Sequence, residues 1–244
     1  VGGREQFDEV SIHLDRNDKD DPNTNEEAMA ALRINVKSKD KELVGRLFSA
    51  KIIELALSNY PGFFAGGGVK SGGPVLIYWP ALVDSKHINE VVHFNGKSKE
   101  LKPTSQLNFE EIYYQTEPVK IPDAPKGETS HVPLGTLFGA RSGDKGGCAN
   151  LGVWAKDLDA FAFLSSFLTI EKLKELMPDL KEFKIERFDL PDILSLNFYI
   201  HDILEDGVSS NSRKDAQAKS LGEYLRAKKA NIPSSLLETL NEYG

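Results

Sequence analysis

Between Thr116 and Ser130 the chain places Pro118, Pro122, Pro125 and Gly127 in a polar stretch with no hydrophobic period. Proline fixes φ and removes a backbone donor, so such a run interrupts helix and sheet alike and reads as a linker. It divides the 244 residues into a lobe over 1–115, a linker over 116–130, a second lobe over 131–230 and a tail over 231–244. Each lobe is long enough to bury a core of its own.

In the first lobe Val10, Ile12 and Leu14 alternate with polar neighbours as a strand, and Leu32, Ile34 and Val36 repeat the pattern. The acidic stretch between them, Asp15 to Glu27, has loose calcium-loop spacing at Asp15, Asn17 and Glu26. Lys19 and Asp20 stand where a ligand and the turn glycine belong, so a solvated loop is expected. Lys41–Tyr60 predicts a helix, with Val44, Phe48, Ile52 and Leu55 on one stripe and Pro61-Gly62 as its stop. The glycine-rich Gly66–Gly73 then leads to a strand expected around Val75–Trp79; lacking a phosphate-loop ending, it reads as a lid or connection.

In the second lobe Val132, Leu134, Thr136 and Phe138 alternate as one strand, and Ala149, Leu151, Val153 and Ala155 as another. Leu158–Met177 reads as one or two helices, with Ile170, Leu173 and Met177 on one face and Pro178 ending the run. Phe183 and Ile185 are out of phase with Phe188 and Leu190, which suggests a bulge near Glu186-Arg187. Leu194, Leu196, Phe198 and Ile200 form the cleanest strand, and a helix from about Asp215 to Lys229 turns Ala218, Leu221 and Leu225 inward. The order ββαββα gives the fold class as α+β: a four-stranded antiparallel sheet with both helical layers on one face, a two-layer ferredoxin-like sandwich.

Two segments carry candidate chemistry. The connection Ala140–Cys148 is long for a hairpin, and long connections are often functional. Its glycines, Gly143, Gly146 and Gly147, let backbone N–H groups converge while Arg141 and Lys145 supply positive charge, an arrangement able to hold a carboxylate or phosphate. Asp144 can orient Lys145 or accept a proton, and Ser142 and Asn150 add a hydroxyl and an amide. A polar loop in which Asp144 simply pairs with Arg141 or Lys145 is the equal alternative. In Ser209–Gln217, Ser212 and Asp215 fit a capping box, while Arg213 and Lys214 at a helix start could hold an anion.

Net charge −7 argues against nucleic acid or an anionic membrane surface as partner. No apolar run approaches the ~20 residues of a membrane span. The one cysteine, Cys148, suits a reducing compartment, so the cytoplasm is expected. His13, His87, His93, His131 and His201 lack metal-ligand spacing and no G-x-S-x-G elbow occurs, so neither a metal nor a serine triad is expected.

The segment Ala140–Ala155 (ARSGDKGGCANLGVWA) resembles the acyclic terpene utilisation family, AtuA. The resemblance continues through Leu196-Asn197-Phe198, Gly207–Glu223 (GVSSNSRKDAQAKSLGE), Glu54–Phe64 and Ile77–Val83, and so reaches nearly the whole chain. It implies a piece of the family's core domain followed by a ferredoxin-like domain, and breakdown of branched or terpenoid acids as coenzyme A thioesters. By matching position it picks out Arg141, Ser142, Gly143, Asp144, Lys145 and Asn150, then Arg213 and Asp215. The polar loop and this family context together make Asp144 and Lys145 the expected catalytic residues, one or the other moving the proton. Arg141, Ser142, Gly143, Gly146, Asn150, Arg213 and Asp215 would bind substrate, and Cys148 receives no role. The expected function is an enzyme or enzyme subunit acting on a carboxylate or acyl-CoA, by hydration or elimination, with no cofactor beyond a coenzyme A thioester as substrate. The alternative is a non-catalytic binding or assembly module. The chain starts at Val1-Gly2-Gly3 and the resemblance begins partway through the family's length. A homo- or hetero-oligomer, or an upstream part of the same protein, is therefore the expected partner, met through the first lobe.

Overall fold

A computed structural model describes residues 1–56, 62–64, 72–101 and 117–238. The end of the helix expected to Tyr60 and most of the glycine-rich stretch lie outside these residues. The chain forms two compact units, Val1–Leu76 with Ser212–Lys214, and Ile77–Asn211 with Asp215–Gly244.

In the first unit β1 (Glu9–Arg16) and β2 (Ala30–Lys37) pair antiparallel, placing Val10 opposite Val36, Ile12 opposite Ile34 and Leu14 opposite Leu32. Both alternating runs are thus strands with their apolar residues on a shared face. Arg16 pairs with Asp18 and Lys19 with Glu27 in the acidic connection. The expected single helix over Lys41–Tyr60 is interrupted. Gly45 takes φ −89°, ψ −124°, outside the helical region, within the π-type turn Leu43–Leu47, and α1 proper runs Phe48–Ala56. Glycine, with no Cβ, meets little resistance to this break. Phe48 packs edge-on against Phe7 at 5.9 Å, whereas Leu55 stays exposed. The strand expected at Val75–Trp79 does not form a ladder among the described residues.

The second unit begins with an exposed hairpin, β3 (Glu90–Phe94) and β4 (Lys97–Leu101), turned by Asn95-Gly96. Next, β5 (Thr129–Pro133) leads into a 3₁₀ turn at Leu134–Thr136, so the strand expected through Phe138 ends at Pro133. Leu134, Leu137 and Phe138 are all buried, a spacing of three and four that a strand cannot bury on one face. Then come β6 (Gly139–Lys145) and β7 (Cys148–Trp154), paired from Gly139–Trp154 to Lys145–Cys148.

The presumed long loop is therefore a strand and a two-residue turn, Gly146-Gly147, with φ +65° at Gly146 as a twist-matched hairpin requires. α2 (Leu158–Phe167) starts where the Asp157 carboxylate accepts from Ala160 N, and α3 (Ile170–Leu176) where Thr169 accepts from Lys172 N. These are ordinary N-caps. β8 (Ile185–Leu190) and β9 (Ser195–Ile200) follow, then α4 (Leu221–Ala227), β10 (Lys229–Pro233) and α5 (Ser234–Glu238).

The four-stranded antiparallel sheet has the order β6-β7-β9-β8, and β5 pairs separately with β10. The α+β class and the ferredoxin-like order hold, with the sheet's first strand moved from Val132–Phe138 to Gly139–Lys145. No bulge interrupts β8, which runs in register from Ile185–Ile200 to Leu190–Ser195. The phase slip arises because Ile185 faces the core while Phe188 and Leu190 face the other side, exposed. The last helix starts at Leu221 rather than Asp215 and ends at Ala227. The expected tail supplies part of β10 and α5, with Ile232 and Leu236 buried.

One core unites Leu151, Val153, Leu196, Phe198 and Ile200 of the sheet with Phe161, Leu164 and Leu168, Leu173 and Met177, and Leu221 and Leu225 of α4. Each such fully buried large side chain contributes about 1.5–3 kcal/mol. Among the described residues no helix is long and apolar enough to cross a membrane.

Candidate functional site

Alternation along β6 sorts the residues expected to form one site. Residues opposed in an antiparallel ladder share a face. Ala140, Ser142 and Asp144 lie opposite Val153, Leu151 and Ala149, all buried, and so face the core side. Arg141, Gly143 and Lys145 lie opposite Gly152, Asn150 and Cys148 and face away from it. In an extended strand successive N–H groups point to opposite edges, alternate ones into the ladder with β7, so β6 does not form the loop of converging amides expected from the glycines.

The core-side residues meet α4. Ser142, buried at 7% exposure, accepts a hydrogen bond from Gly222 N at 2.9 Å. Gly222 is in the first turn of α4, whose N-cap residue Ser220 makes no side-chain cap bond. A serine eighty residues away caps the helix instead. Asp144 stands one step nearer the turn, half-exposed, 3.4 Å from Lys219 Nζ.

The glycines have steric reasons. A Cβ at Gly143 would sit 2.7 Å from Lys219 Nζ, so the missing side chain admits that ammonium over the strand edge. A Cβ at Gly146 would sit 2.9 Å from the Tyr78 ring, and one at Gly147 would collide with the Glu205 carbonyl.

The second expected constellation does not start a helix. The Asp215 carboxylate accepts from Lys219 N at 2.9 Å and from Ser220 N and Oγ at 2.8 and 2.7 Å, closing a compact turn before α4. Ser212 and Asp215 are therefore not a capping box. Asp215 organises the turn that delivers Lys219 to Asp144, so the two candidate segments meet through Lys219. Lys219 has no signature in the sequence, because an exposed charge in a polar turn carries no periodic signal. Arg213 belongs with Ser212 and Lys214 to the first unit, where Lys214 pairs with Asp15 at 3.2 Å. Lys145 is exposed, its Nζ donating to the Asp144 carbonyl at 2.9 Å.

The outward face carries a second group of polar residues. Asn150 Nδ2 donates to Asn197 Oδ1 at 3.3 Å. The Tyr199 hydroxyl is hydrogen-bonded to Cys148, whose Sγ also accepts from Asp202 N at 3.5 Å. That bond to Cys148, with some burial, holds the Tyr199 phenol above its ordinary range. His201 stacks edge-on against Tyr199 at 4.9 Å and bonds Glu186 at 2.7 Å. Hydrogen bonds from Lys184 first, then His201, hold the Glu186 carboxyl below its usual value. Nothing along the chain joins Tyr199, His201 and Glu186, because it is the register between strands that brings them together.

Two family descriptions match the chain. "Acyclic terpene utilisation family protein AtuA" matches residues 2–94, and "AtuA ferredoxin-like domain" matches residues 132–231. Neither a comparison with curated proteins nor one with solved structures finds a match.

Proposed function

Because the chain belongs to the acyclic terpene utilisation family, we propose that it is an enzyme or enzyme subunit of cytoplasmic catabolism, acting on a carboxylate or acyl-CoA of branched or terpenoid acids. The observation that carries this reading is Asp144 paired with Lys219 at the junction of the two motif segments, with Lys145 beside it. The reaction it suits is hydration or elimination at an acyl thioester. In elimination, the Asp144 carboxylate takes the proton α to the carbonyl. The electron pair forms the new double bond, and the β-hydroxyl leaves as water with a proton from Lys145. The Lys219 ammonium offsets charge developing on the carbonyl oxygen.

The test follows the absorbance of the conjugated enoyl thioester with purified chain and a panel of branched 3-hydroxyacyl-CoAs. Asp144→Asn is expected to lower turnover by about 10²–10⁴-fold, the usual share of a general base. Wild-type protein that turns over none of the panel sinks the proposal.

A specific observation favours a second reading, a binding or assembly module. Ser142 and Gly143 each have a packing role that needs no substrate. Association with a second copy or another protein is common to both readings. The exposed Ile77, Trp79, Leu82 and Val83 form apolar surface of the kind that seeks cover. Size-exclusion with light scattering tests this, and a monomer at all concentrations contradicts it.

A further inference from the structure

The face of the sheet turned away from α2 and α3 has an ordered layout that follows from its register. One row across the strands reads Arg141, Gly152, Asn197 and Phe188, and the next reads Gly143, Asn150, Tyr199 and Glu186. Gly152 thus stands between Arg141 and Asn197. A Cβ there would meet nothing nearer than the Arg141 carbonyl at 3.7 Å, so the space above it is open. Neighbouring strands lie about 4.8 Å apart, which puts the Arg141 and Asn197 backbones about 10 Å apart across a floor without a side chain.

The Arg141 side chain is exposed and has neither an ion pair nor a hydrogen bond among the described residues. Most charged neighbours differ: Asp144 holds Lys219, and Glu186 holds Lys184 and His201. Asn150 donates to Asn197 Oδ1, which leaves the Asn197 amide protons for another acceptor. On one side, then, is a guanidinium fork with nothing to bind. On the other is an amide donor, with a gap between them. Lys219, passing over Gly143 in the adjoining row, adds a second positive charge at the rim.

We propose that this face holds a small carboxylate, its two oxygens taken by the Arg141 guanidinium and the Asn197 amide above Gly152. The site is distinct in position from the Asp144–Lys219 pair at the strand edge. The class of ligand rests on the reading of the protein as one that handles acids of this kind. A guanidinium suits a carboxylate because its parallel N–H groups match the two oxygens, and an uncharged amide beside it adds direction without repulsion.

The test is calorimetric titration of the full 244-residue chain with isovalerate, glutarate and unacylated coenzyme A, for wild type, Arg141→Met, Gly152→Val and Asp144→Asn. The expected result is carboxylate binding weakened at least about tenfold by Arg141→Met, the size of a lost charged hydrogen bond. Gly152→Val fills the gap and is expected to weaken it similarly with unchanged circular dichroism. Asp144→Asn, which releases Lys219 at the rim, should bind the acids at least as tightly as wild type does. Carboxylate affinity unchanged in Arg141→Met overturns the proposal. So does a wild-type chain that binds neither acid, or one that binds coenzyme A alone through Arg141, which would mark a phosphate site. Arg141-dependent acid binding without thioester turnover leaves this site standing and removes the catalytic reading. Turnover lost in Asp144→Asn, with acid binding indifferent to Arg141, does the reverse.

Discussion

Replacing Ser142 by alanine separates a structural role from a ligand-binding one. The Gly222 amide is one of the first-turn donors of α4 that no carbonyl of the helix can satisfy. Its acceptor is Ser142 Oγ, 2.9 Å away between two buried residues. Alanine removes the acceptor without opening a path for water, so the donor is stranded. A lost helix cap costs about 1 kcal/mol, and a stranded buried donor about 1–3 kcal/mol. A loss of about 1–2 kcal/mol is therefore expected. It should reduce protection of the Gly222 amide in native-state hydrogen exchange by about 5–30-fold. The unfolding midpoint should fall by about 2–8 °C for a unit of this size. Unchanged exchange at Gly222 and an unchanged midpoint would refute the capping argument. If ligand binding were lost as well, Ser142 would instead be a substrate contact.

Gly139→Val is expected to destabilise by about 1–3 kcal/mol, the range for overpacking, because a Cβ at 139 would collide with the Trp154 indole. Trp154 fluorescence should shift with it, and an unshifted spectrum contradicts the packing. Tyr199, held above its ordinary value near 10 by Cys148, contributes stability that is full below that value and lost as pH rises through the higher folded one. Phenolate absorbance should show one late-titrating tyrosine that moves earlier in Cys148→Ala, and an unmoved titration contradicts the bond. The linker proposal expects the first cut of limited proteolysis within 116–130; first cuts within 41–60 or 150–200 would show the boundary is elsewhere.

What the sequence made legible depended on which face each residue serves. Leu196, Phe198 and Ile200 alternate into one core, and their strand was read directly. So were the helices after Asp157 and Thr169, where capping side chains and buried Leu173 and Met177 agree. Strand β6 was not legible. Its core-side positions are Ala140, Ser142 and Asp144, because the entrance of α4 rather than an apolar layer lies against them. Without an apolar alternation it read as a loop. Strand β8 misled in the opposite way, since Phe188 and Leu190 put apolar side chains on the outward face. The candidate site was half-visible for the same reason. Charged and glycine positions stood out along the chain, but whether Arg141 and Asp144 share a surface depends on strand parity. Lys219 came into view only through the space left by Gly143.

The central claim, that the chain binds an acyl thioester beside Lys145, is tested most directly by thermal shift. Wild type and Lys145→Ala would be screened against branched acyl-CoAs. Ligand at about a hundred times its dissociation constant stabilises a folded protein by about 2.7 kcal/mol, a readily measured rise in midpoint. The account predicts that rise in wild type and its loss in Lys145→Ala. A variant that is merely less stable, with no ligand response in either protein, would contradict it and leave the assembly module as the better reading.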